Sequence, residues 1–194
     1  MKICLFGGTF DPPHIGHLLI AQTVCEEESF DKILFIPAYK PPHKNHVTPV
    51  GKRVDMLRLA ISENPNFDIS DIELNRKGIS YSIDTIQSIK ESMNLTTDNC
   101  YFLVGTDTLL DFHKWKKPRE ILNSCQVIVA IRPGFRPSDL DPWILHKVHF
   151  ANVPRFEISS KTIRTRWVEN KTIRYMVSLP VWDYINKNNL YIKK

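Results

Sequence analysis

ICLFGGTFDPPHIGH, residues 3–17, is the stretch of this sequence that decides the fold. Its first four residues are apolar and typical of a strand. The paired glycines Gly7 and Gly8 let the chain turn sharply and bring its backbone close to a ligand. A helical segment begins at Ile15, directly after this turn. Because the helix start presents unpaired N–H groups and a positive dipole end, the stretch predicts a phosphate-binding site.

Strands and helices alternate along the rest of the chain. Strands are predicted at residues 3–6, 33–36, 67–72, 101–104, 127–131 and 148–150, and helices at residues 15–27, 52–62, 82–93, 161–170 and 181–187. This alternation predicts an α/β fold, a Rossmann-like doubly wound and mainly parallel sheet with ligands beyond the carboxyl ends of its strands. We expect a single domain over residues 1–194, with a core over 1–157 and a small C-terminal helical portion over 158–194. Two proline-rich segments, residues 37–49 and 132–142, are predicted to be functional or mobile loops.

Composition excludes several classes of protein. The 194 residues are 42% hydrophobic and 24% charged, as in an ordinary globular protein. The four cysteines lie far apart in or beside apolar runs, which predicts reduced core residues and a cytoplasmic protein. We expect no signal peptide, and no apolar run approaches the roughly 20 residues that span a bilayer. The net charge of +5 is spread along the chain and favours an anionic ligand.

Two histidines flank the start of the first helix. His14 and His17 are three residues apart, and Gly16 between them is expected to leave room for a nucleotide against the backbone. The segment is neither a P-loop nor a GxGxxG dinucleotide fingerprint. A zinc pair is an alternative interpretation, but it needs further ligands. His43 and His46 lie on a predicted loop, and no cysteine is near in sequence.

Residues 7–17 resemble the adenylyltransferase signature of the nucleotidyltransferase superfamily, and the sequence from His14 to His17 resembles its HxGH motif. Further segments are similar, in order and spacing, to the bacterial nicotinate mononucleotide adenylyltransferases. They are Pro41–Lys44, Tyr81–Thr85, Gly105–Leu109 with Trp115, Arg132–Gly134, Ile158–Arg164 and the tail Val181–Tyr191. The resemblance therefore covers nearly the whole chain.

This resemblance implies an enzyme of NAD biosynthesis that transfers the adenylyl group of ATP to nicotinate mononucleotide, giving deamido-NAD and pyrophosphate. It implies four catalytic residues: His14, His17, Lys44 and Arg164. In-line attack on the α-phosphate needs positioning and cancellation of charge. Since the attacking phosphate is already anionic, we expect the histidines to stabilise charge rather than to act as a general base.

Mg²⁺ is expected on the ATP phosphates, with no metal site on the protein. We expect neither nucleic acid nor a membrane as partner, and a homo-oligomer stays open.

Family resemblance also implies the residues that bind the two substrates. Those implied for ATP are Gly7, Gly8, Thr9, Phe10, His14, Gly16, His17, Gly105, Asp107, Arg132, Ser159, Ser160 and Arg164. Those implied for the mononucleotide are Lys44, Ser82, Thr85, Asp107 and Trp115. The two serines begin a helix whose hydroxyls can cap it and whose N–H groups can hold phosphates. Trp115 offers a flat face to a pyridinium ring.

Two lysines depart from the family's pattern. Lys161 stands where the family usually has threonine or another small residue, and Lys116 stands where it often has tyrosine. No substrate contact is therefore carried over to either side chain.

The choice of pyridine ring depends on the helix that Tyr81–Thr85 opens. We expect backbone N–H groups around Thr85 and Ile86 to lack intrahelical partners, and so to favour the carboxylate of nicotinate over the amide of nicotinamide. Asp84 is expected to face the helix end or solvent, because its carboxylate would repel that substrate. A nicotinamide-preferring adenylyltransferase stays an alternative. A non-catalytic nucleotide- or RNA-binding module is another, although it predicts a stripe of Lys and Arg with interleaved aromatics that the sequence lacks.

Overall fold

The computed structural model describes residues 1–131, 134–154 and 156–192. Within them, six parallel strands form one sheet: β1 (Ile3–Gly8), β2 (Lys32–Pro37), β3 (Phe67–Ile69), β4 (Cys100–Gly105), β5 (Gln126–Ala130) and β6 (Val148–Ala151). Their order is β3-β2-β1-β4-β5-β6. The predicted mainly parallel, Rossmann-like sheet is confirmed.

Nine α-helices connect and follow these strands within the described residues. They are α1 (Ile15–Glu27), α2 (Val50–Ile61), α3 (Ile72–Arg76), α4 (Ser82–Met93), α5 (Thr106–Leu109), α6 (Pro118–Ser124), α7 (Pro142–Leu145), α8 (Ser160–Val168) and α9 (Leu179–Lys187). The bounds of α1 and α4 are those predicted. The sequence did not predict α3, α5, α6 and α7, which have seven residues or fewer and so show at most two turns of periodicity. The third strand ends at Ile69 rather than residue 72, because Ile72 begins α3.

Each central strand contributes to two hydrophobic clusters, one on each face of the sheet. In β1, Ile3 and Leu5 belong to the cluster that includes α4 and α6, whereas Cys4 and Phe6 belong to the cluster that includes α1 and α2. Successive side chains of a strand point to opposite faces, so a continuous apolar run of this kind is buried on both. Helices therefore cover both faces of the sheet.

A third cluster joins the C-terminal helices to the core. Met56 of α2 packs with Ile163 of α8 and with Val181 and Ile185 of α9, and all four are fully buried. This packing fixes α8 beside the turn that follows β1, as the hydrogen bonds described below show. Among the described residues, no helix combines the length and the apolar character that a membrane-spanning helix needs.

The four cysteines are buried and free of disulfides, as the prediction of reduced core residues requires. Burial raises the pKa of the Cys100 thiol to about 11 and that of Cys4 well above its usual range. Because the thiolate is the reactive form, these cysteines are inert at neutral pH.

The position of the site follows from the strand order. The chain leaves β1 toward β2 on one side, and β4 later lies against β1 on the other side. Loops that follow β1 and β4 consequently diverge over opposite faces, and ligands bind in the crevice between them. Gly7 and Gly8 are the last residues of β1 and pair with Ile36 and Pro37, so the prediction that they form a sharp turn is wrong, and the chain turns after them. This turn and Gly105 at the end of β4 both lie at the switch point.

Candidate active site

A cavity of about 1320 Å³ opens at the switch point. All the predicted site residues that the structure describes line it, except Gly16 and Thr85. Arg132 lies outside the described residues. We call the part around Thr9, His17, Lys44 and Arg164 the phosphate end, and the part around Tyr81, Ser82, Trp115 and Lys116 the ring end. One cavity thus has room for two bound groups.

The turn after β1 is shaped by an aromatic ring that folds back over it. Phe10 has a positive φ of 49° and its side chain is buried. A Cβ built on Gly8 would lie 2.8 Å from Cζ of Phe10, closer than real Cβ contacts. Glycine is therefore required at position 8 by the fold itself, apart from any ligand.

His14 and His17 stack on each other at the N-terminus of α1. Their ring centroids are 3.6 Å apart and the planes differ by 23°. The backbone N–H of His14 donates to Nδ1 of His17 at 3.1 Å, so Nδ1 is an acceptor and Nε2 carries the ring proton of a neutral His17. Since His17 lines the cavity, its Nε2–H is a donor suited to an anionic ligand.

Gly16 is crowded by protein, contrary to the expectation that it leaves room for a nucleotide. A Cβ at this position would overlap Cε2 of Phe156 and lie 3.0 Å from Nδ1 of His14. The partly buried ring of Phe156 therefore occupies the space beside the helix start. Gly16 allows this packing, and it is absent from the cavity lining for that reason.

Lys44 reaches from the proline-rich loop into the phosphate end. Its Nζ donates to Oγ1 of Thr9 at 2.8 Å, although the residue as a whole is exposed. Burial of the ammonium lowers the pKa of Lys44, and the positive charge of Arg164 lowers it further, while Asp11 opposes the shift. Two cations therefore lie close together at this end, an arrangement that favours a polyanion.

The start of α8 is fastened to the turn after β1. Ser159 is the N-cap residue, and its hydroxyl oxygen accepts from the backbone N–H of Thr162 at 3.1 Å. Ser160 does not cap the helix, because its hydroxyl donates to the carbonyl of Pro12 at 2.9 Å. Arg164 donates through Nη1 to the carbonyl of Asp11 at 2.6 Å. These bonds aim the N-terminus of α8 and one guanidinium at the cavity.

Arg53 of α2 holds the two loops of the phosphate end together, and the sequence analysis missed it. Its side chain is fully buried and donates to the carbonyls of Thr9 and Ala38 at 2.7 Å and of Thr48 at 2.8 Å. Burial lowers the pKa of Arg53, and the nearby Asp11 carboxylate opposes this shift. An arginine in an amphipathic helix normally lies on the exposed face, so no local signal in the sequence marks it.

Asp11 and Tyr191 form a second link that sequence reasoning missed. The Asp11 carboxylate accepts from the hydroxyl of Tyr191 at 2.8 Å and from the backbone N–H of Thr48 at 3.1 Å. Burial and the adjacent Asp11 raise the pKa of Tyr191 well above its usual range. The C-terminal tail thus supports the turn between β1 and α1.

The ring end contains two aromatic side chains that pack on the core, Tyr81 and Trp115. Trp115 packs edge-on against Phe102, with centroids 6.2 Å apart, and tilted against Phe112, with centroids 5.1 Å apart. Its indole is partly buried, so one part of it packs on the core while the rest lines the cavity. Asp107 lies in the first turn of α5 and is exposed at the cavity rim rather than buried as a cap.

Named relatives are similar to this chain over nearly its whole length. The cytidylyltransferase-like family model matches residues 5–166. A nicotinate-nucleotide adenylyltransferase of Bacillus subtilis (strain 168) is 41% identical over 192 residues, which cover 98% of each chain. A probable nicotinate-nucleotide adenylyltransferase of Dictyoglomus thermophilum is 41% identical over 198 residues, covering 99% of this chain and 100% of the relative. The chain belongs to the nicotinate-nucleotide adenylyltransferase family.

Solved structures share the fold. The Plasmodium falciparum nicotinic acid mononucleotide adenylyltransferase complexed with NaAD superposes with a TM-score of 0.81 at 22% identity, covering 98% of this chain and 97% of that chain. The structure of that enzyme with APC gives a TM-score of 0.80 at 22% identity and covers 98% and 96%. At this level of identity the likeness establishes the Rossmann-like fold.

The prediction that Thr85 binds the mononucleotide, with unpaired backbone N–H groups around it, needs correction. Its hydroxyl is buried and donates to Oε1 of Glu73 at 2.7 Å, and its backbone N–H bonds to the carbonyl of Tyr81 at 3.2 Å. Because α4 begins at Ser82, an α-helix leaves the N–H groups of residues 82–84 without intrahelical partners, not those around Thr85 and Ile86. The donors at the ring end therefore lie two to three residues earlier in the sequence than predicted.

Asp84 lies in the first turn of α4 and outside the cavity lining, as expected, and its partly exposed side chain has a partner. Its two carboxylate oxygens accept from Nζ of Lys116 at 3.0 and 2.9 Å. Lys116 occupies a position where family members often have tyrosine, and the departure thus brings a cation to the ring end. The expected repulsion between Asp84 and an anionic substrate is opposed by this lysine.

Proposed function

We propose that this family member transfers the adenylyl group of ATP to nicotinate mononucleotide, forming deamido-NAD and releasing pyrophosphate. One observation carries the proposal: a single cavity joins a phosphate end, where basic and imidazole groups converge, to a ring end with an anchored indole. The volume of about 1320 Å³ exceeds the roughly 300–1,000 Å³ of a typical small-molecule site, as two nucleotides that meet through their phosphates require. The relatives named for this reaction are similar over nearly their whole length.

The reaction asks little covalent work of the protein. An oxygen of the mononucleotide phosphate forms a bond to the α-phosphorus of ATP. The bond from that phosphorus to the oxygen bridging to the β-phosphate breaks, and its electron pair leaves with pyrophosphate. No proton needs to be removed from the attacking oxygen, because it is already anionic. Positioning and stabilisation of the developing charge are therefore the contributions that the site must make.

Each group at the phosphate end can make one of these contributions. The Nε2–H of His17 donates to an oxygen of the α-phosphate, and the bond strengthens as charge develops. Lys44 supplies a point charge from the loop side, and Arg164 supplies a guanidinium from the α8 side. His14 stacks on His17 and keeps that ring in place. These roles are proposed from the position and chemistry of each side chain.

Magnesium is expected to enter this site bound to the phosphates of ATP. The described part of the chain contains no group of three His, Cys, Asp or Glu side chains that could hold a metal ion. The carboxylate of Asp11 is already engaged by Tyr191 and Thr48. Mg²⁺ commonly binds through substrate phosphates and water, so the ATP phosphates would carry it and gain shielding of their charge.

The nicotinate ring is favoured by the groups at the ring end. The first-turn amides of α4, at residues 82–84, are donors at a positive dipole end and match a group that only accepts. An amide placed there leaves polar groups unpaired, at a cost of about 1–3 kcal/mol. We therefore expect kcat/KM for nicotinate mononucleotide to exceed that for nicotinamide mononucleotide by roughly five- to over a hundredfold.

Product analysis tests both parts of the proposal. The protein is incubated with ATP, magnesium and each mononucleotide in turn, and pyrophosphate and the dinucleotide product are quantified. No pyrophosphate from either mononucleotide would contradict adenylyl transfer. Activity with a selectivity ratio near one, or one that favours the amide, would contradict the nicotinate assignment and leave the transfer chemistry standing.

A further inference from the structure

Lys116 is held at the ring end by two contacts from α4 and its N-cap. Its Nζ forms an ion pair with both carboxylate oxygens of Asp84 and lies 4.7 Å from the centroid of the Tyr81 ring. The Lys116 side chain is 40% exposed and lines the cavity next to Trp115 in sequence. The ammonium is therefore fixed at the cavity wall while one side of it stays accessible.

Neighbouring lysines are held differently. Lys114 and Lys117 pair with Asp111 and Glu120, each three residues away on the same short segment. Lys116 instead reaches across 32 residues to another helix. An exposed ion pair contributes little to stability, about 0–1 kcal/mol, so folding alone gives a weak reason for this placement.

The charges at the ring end point to a role in selection. The Asp84 carboxylate does not itself line the cavity, but it contacts the ammonium that does, so without Lys116 its negative charge would be uncompensated beside the ring end and would disfavour an anionic ring substituent. An ammonium has three N–H donors, and Asp84 accepts two of them. The remaining donor and the positive charge are available to a carboxylate on a ring stacked at Trp115. A neutral amide gains much less from the same charge.

We propose that Lys116 is a specificity-determining residue, whose positive charge makes the ring end prefer a mononucleotide with a ring carboxylate over one with a ring amide. The inference rests on the proposed function, and adds a side-chain determinant to the backbone donors of α4. It predicts that the two partners of the ion pair have opposite effects on selectivity. Lys116 promotes selectivity for the anionic ring, and Asp84 opposes it.

The test compares kcat/KM for nicotinate and nicotinamide mononucleotides in the parent, Lys116→Met and Asp84→Asn. Methionine keeps most of the apolar stem and removes the charge. We expect Lys116→Met to lower the nicotinate-to-nicotinamide ratio about tenfold, the effect of ~1.4 kcal/mol at a partly exposed charge pair. We expect Asp84→Asn to raise the ratio, because the ammonium then serves the substrate alone. Using the ratio cancels any contact with the phosphate, which the two substrates share.

Two further variants control the result. Lys117→Met removes a neighbouring lysine that does not line the cavity, and should leave the ratio unchanged. Lys116→Arg keeps the charge and should keep most of the selectivity. The proposal is wrong if Lys116→Met leaves the ratio within about threefold of the parent, or if Asp84→Asn lowers it as Lys116→Met does, since a structural ion pair would act alike from both sides. Failure of the proposed function is distinct, because the parent would then release no pyrophosphate.

Discussion

The two ends of the cavity are built in different ways. At the phosphate end, arginine side chains donate to backbone carbonyls: the buried Arg53 to Thr9 and Ala38, and the partly buried Arg164 to Asp11. At the ring end, the corresponding link is an ion pair between side chains, Lys116 with Asp84, which are 40% and 34% exposed. Hydrogen bonds therefore fix the backbone at the phosphate end, whereas side-chain charges, which a substitution can change without moving the backbone, characterise the ring end.

This difference separates rate from selection. The phosphate end meets groups that every candidate mononucleotide shares, so its geometry governs the speed of transfer whichever ring is bound. The ring end meets the one substituent in which the candidates differ. Substitutions at the phosphate end should change kcat for both mononucleotides by the same factor, whereas those at the ring end should change their ratio.

His17→Ala should give the largest effect. Loss of a preorganised donor to the developing charge lowers kcat by about two to three orders of magnitude. Because His17 lies at the phosphate end, the loss should be equal for the two mononucleotides. The measurement is steady-state kcat with each substrate, together with circular dichroism to verify the fold.

His146→Ala is the matched control, since His146 is exposed and does not line the cavity. It should retain full activity. If His17→Ala retains kcat within about threefold of the parent, which is under ~0.7 kcal/mol, the proposed role of His17 is wrong. A loss confined to one mononucleotide would break the separation of the two ends.

Much of the fold was predictable because its signals are local. Ile3–Phe6 is a continuous apolar run that predicts a buried strand, and the apolar residues of Ser82–Met93 have helical periodicity. The family resemblance is confirmed by relatives at about 40% identity. The unpredicted helices are too short for periodicity, and α6 begins at Pro118, a residue that also starts turns.

The site residues that were not predicted from the sequence have roles that depend on partners distant in sequence. Arg53 binds Thr9, 44 residues away, and Tyr191 binds Asp11, 180 residues away. Nothing near either residue in sequence indicates these bonds. The same holds for Thr85, whose hydroxyl is taken by Glu73 once α3 packs on α4. Chemistry carried by contiguous motifs was predictable, and chemistry that the tertiary fold assembles was not.

Arg164→Lys should have a smaller effect than His17→Ala. It tests whether the phosphate end needs the geometry of the guanidinium or only its charge. One N–H of Nη1 is used by the carbonyl of Asp11, which leaves the other donors of the guanidinium for phosphate. Lysine keeps the charge but cannot serve both partners in a fixed fork. We expect kcat/KM for ATP to fall about tenfold, the value of one charged hydrogen bond.

Arg166 on the same helix is the control. It donates to the carbonyl of Thr172 at 3.3 and 3.2 Å and does not line the cavity. Arg166→Lys should leave kcat/KM for ATP unchanged. Equal values for Arg164→Lys and the parent would mean that charge alone matters at this position.

The smallest effect at neutral pH, and the one most specific to the phosphate end, concerns the titration of Lys44. Burial of its ammonium and the positive charge of Arg164 lower the pKa of Lys44 in the free protein. A lysine holds phosphate only while protonated, so the fraction of competent enzyme falls with rising pH sooner than it would for an ordinary lysine. We expect kcat/KM for ATP to decline on the alkaline side. Arginine stays charged throughout this range, so Lys44→Arg should extend activity to higher pH while changing kcat/KM at neutral pH little.

Lys40→Arg, which alters an exposed lysine of the same loop outside the cavity, should keep the parent pH profile. Superimposable alkaline limbs for the parent and Lys44→Arg would show that Lys44 does not set this pH dependence.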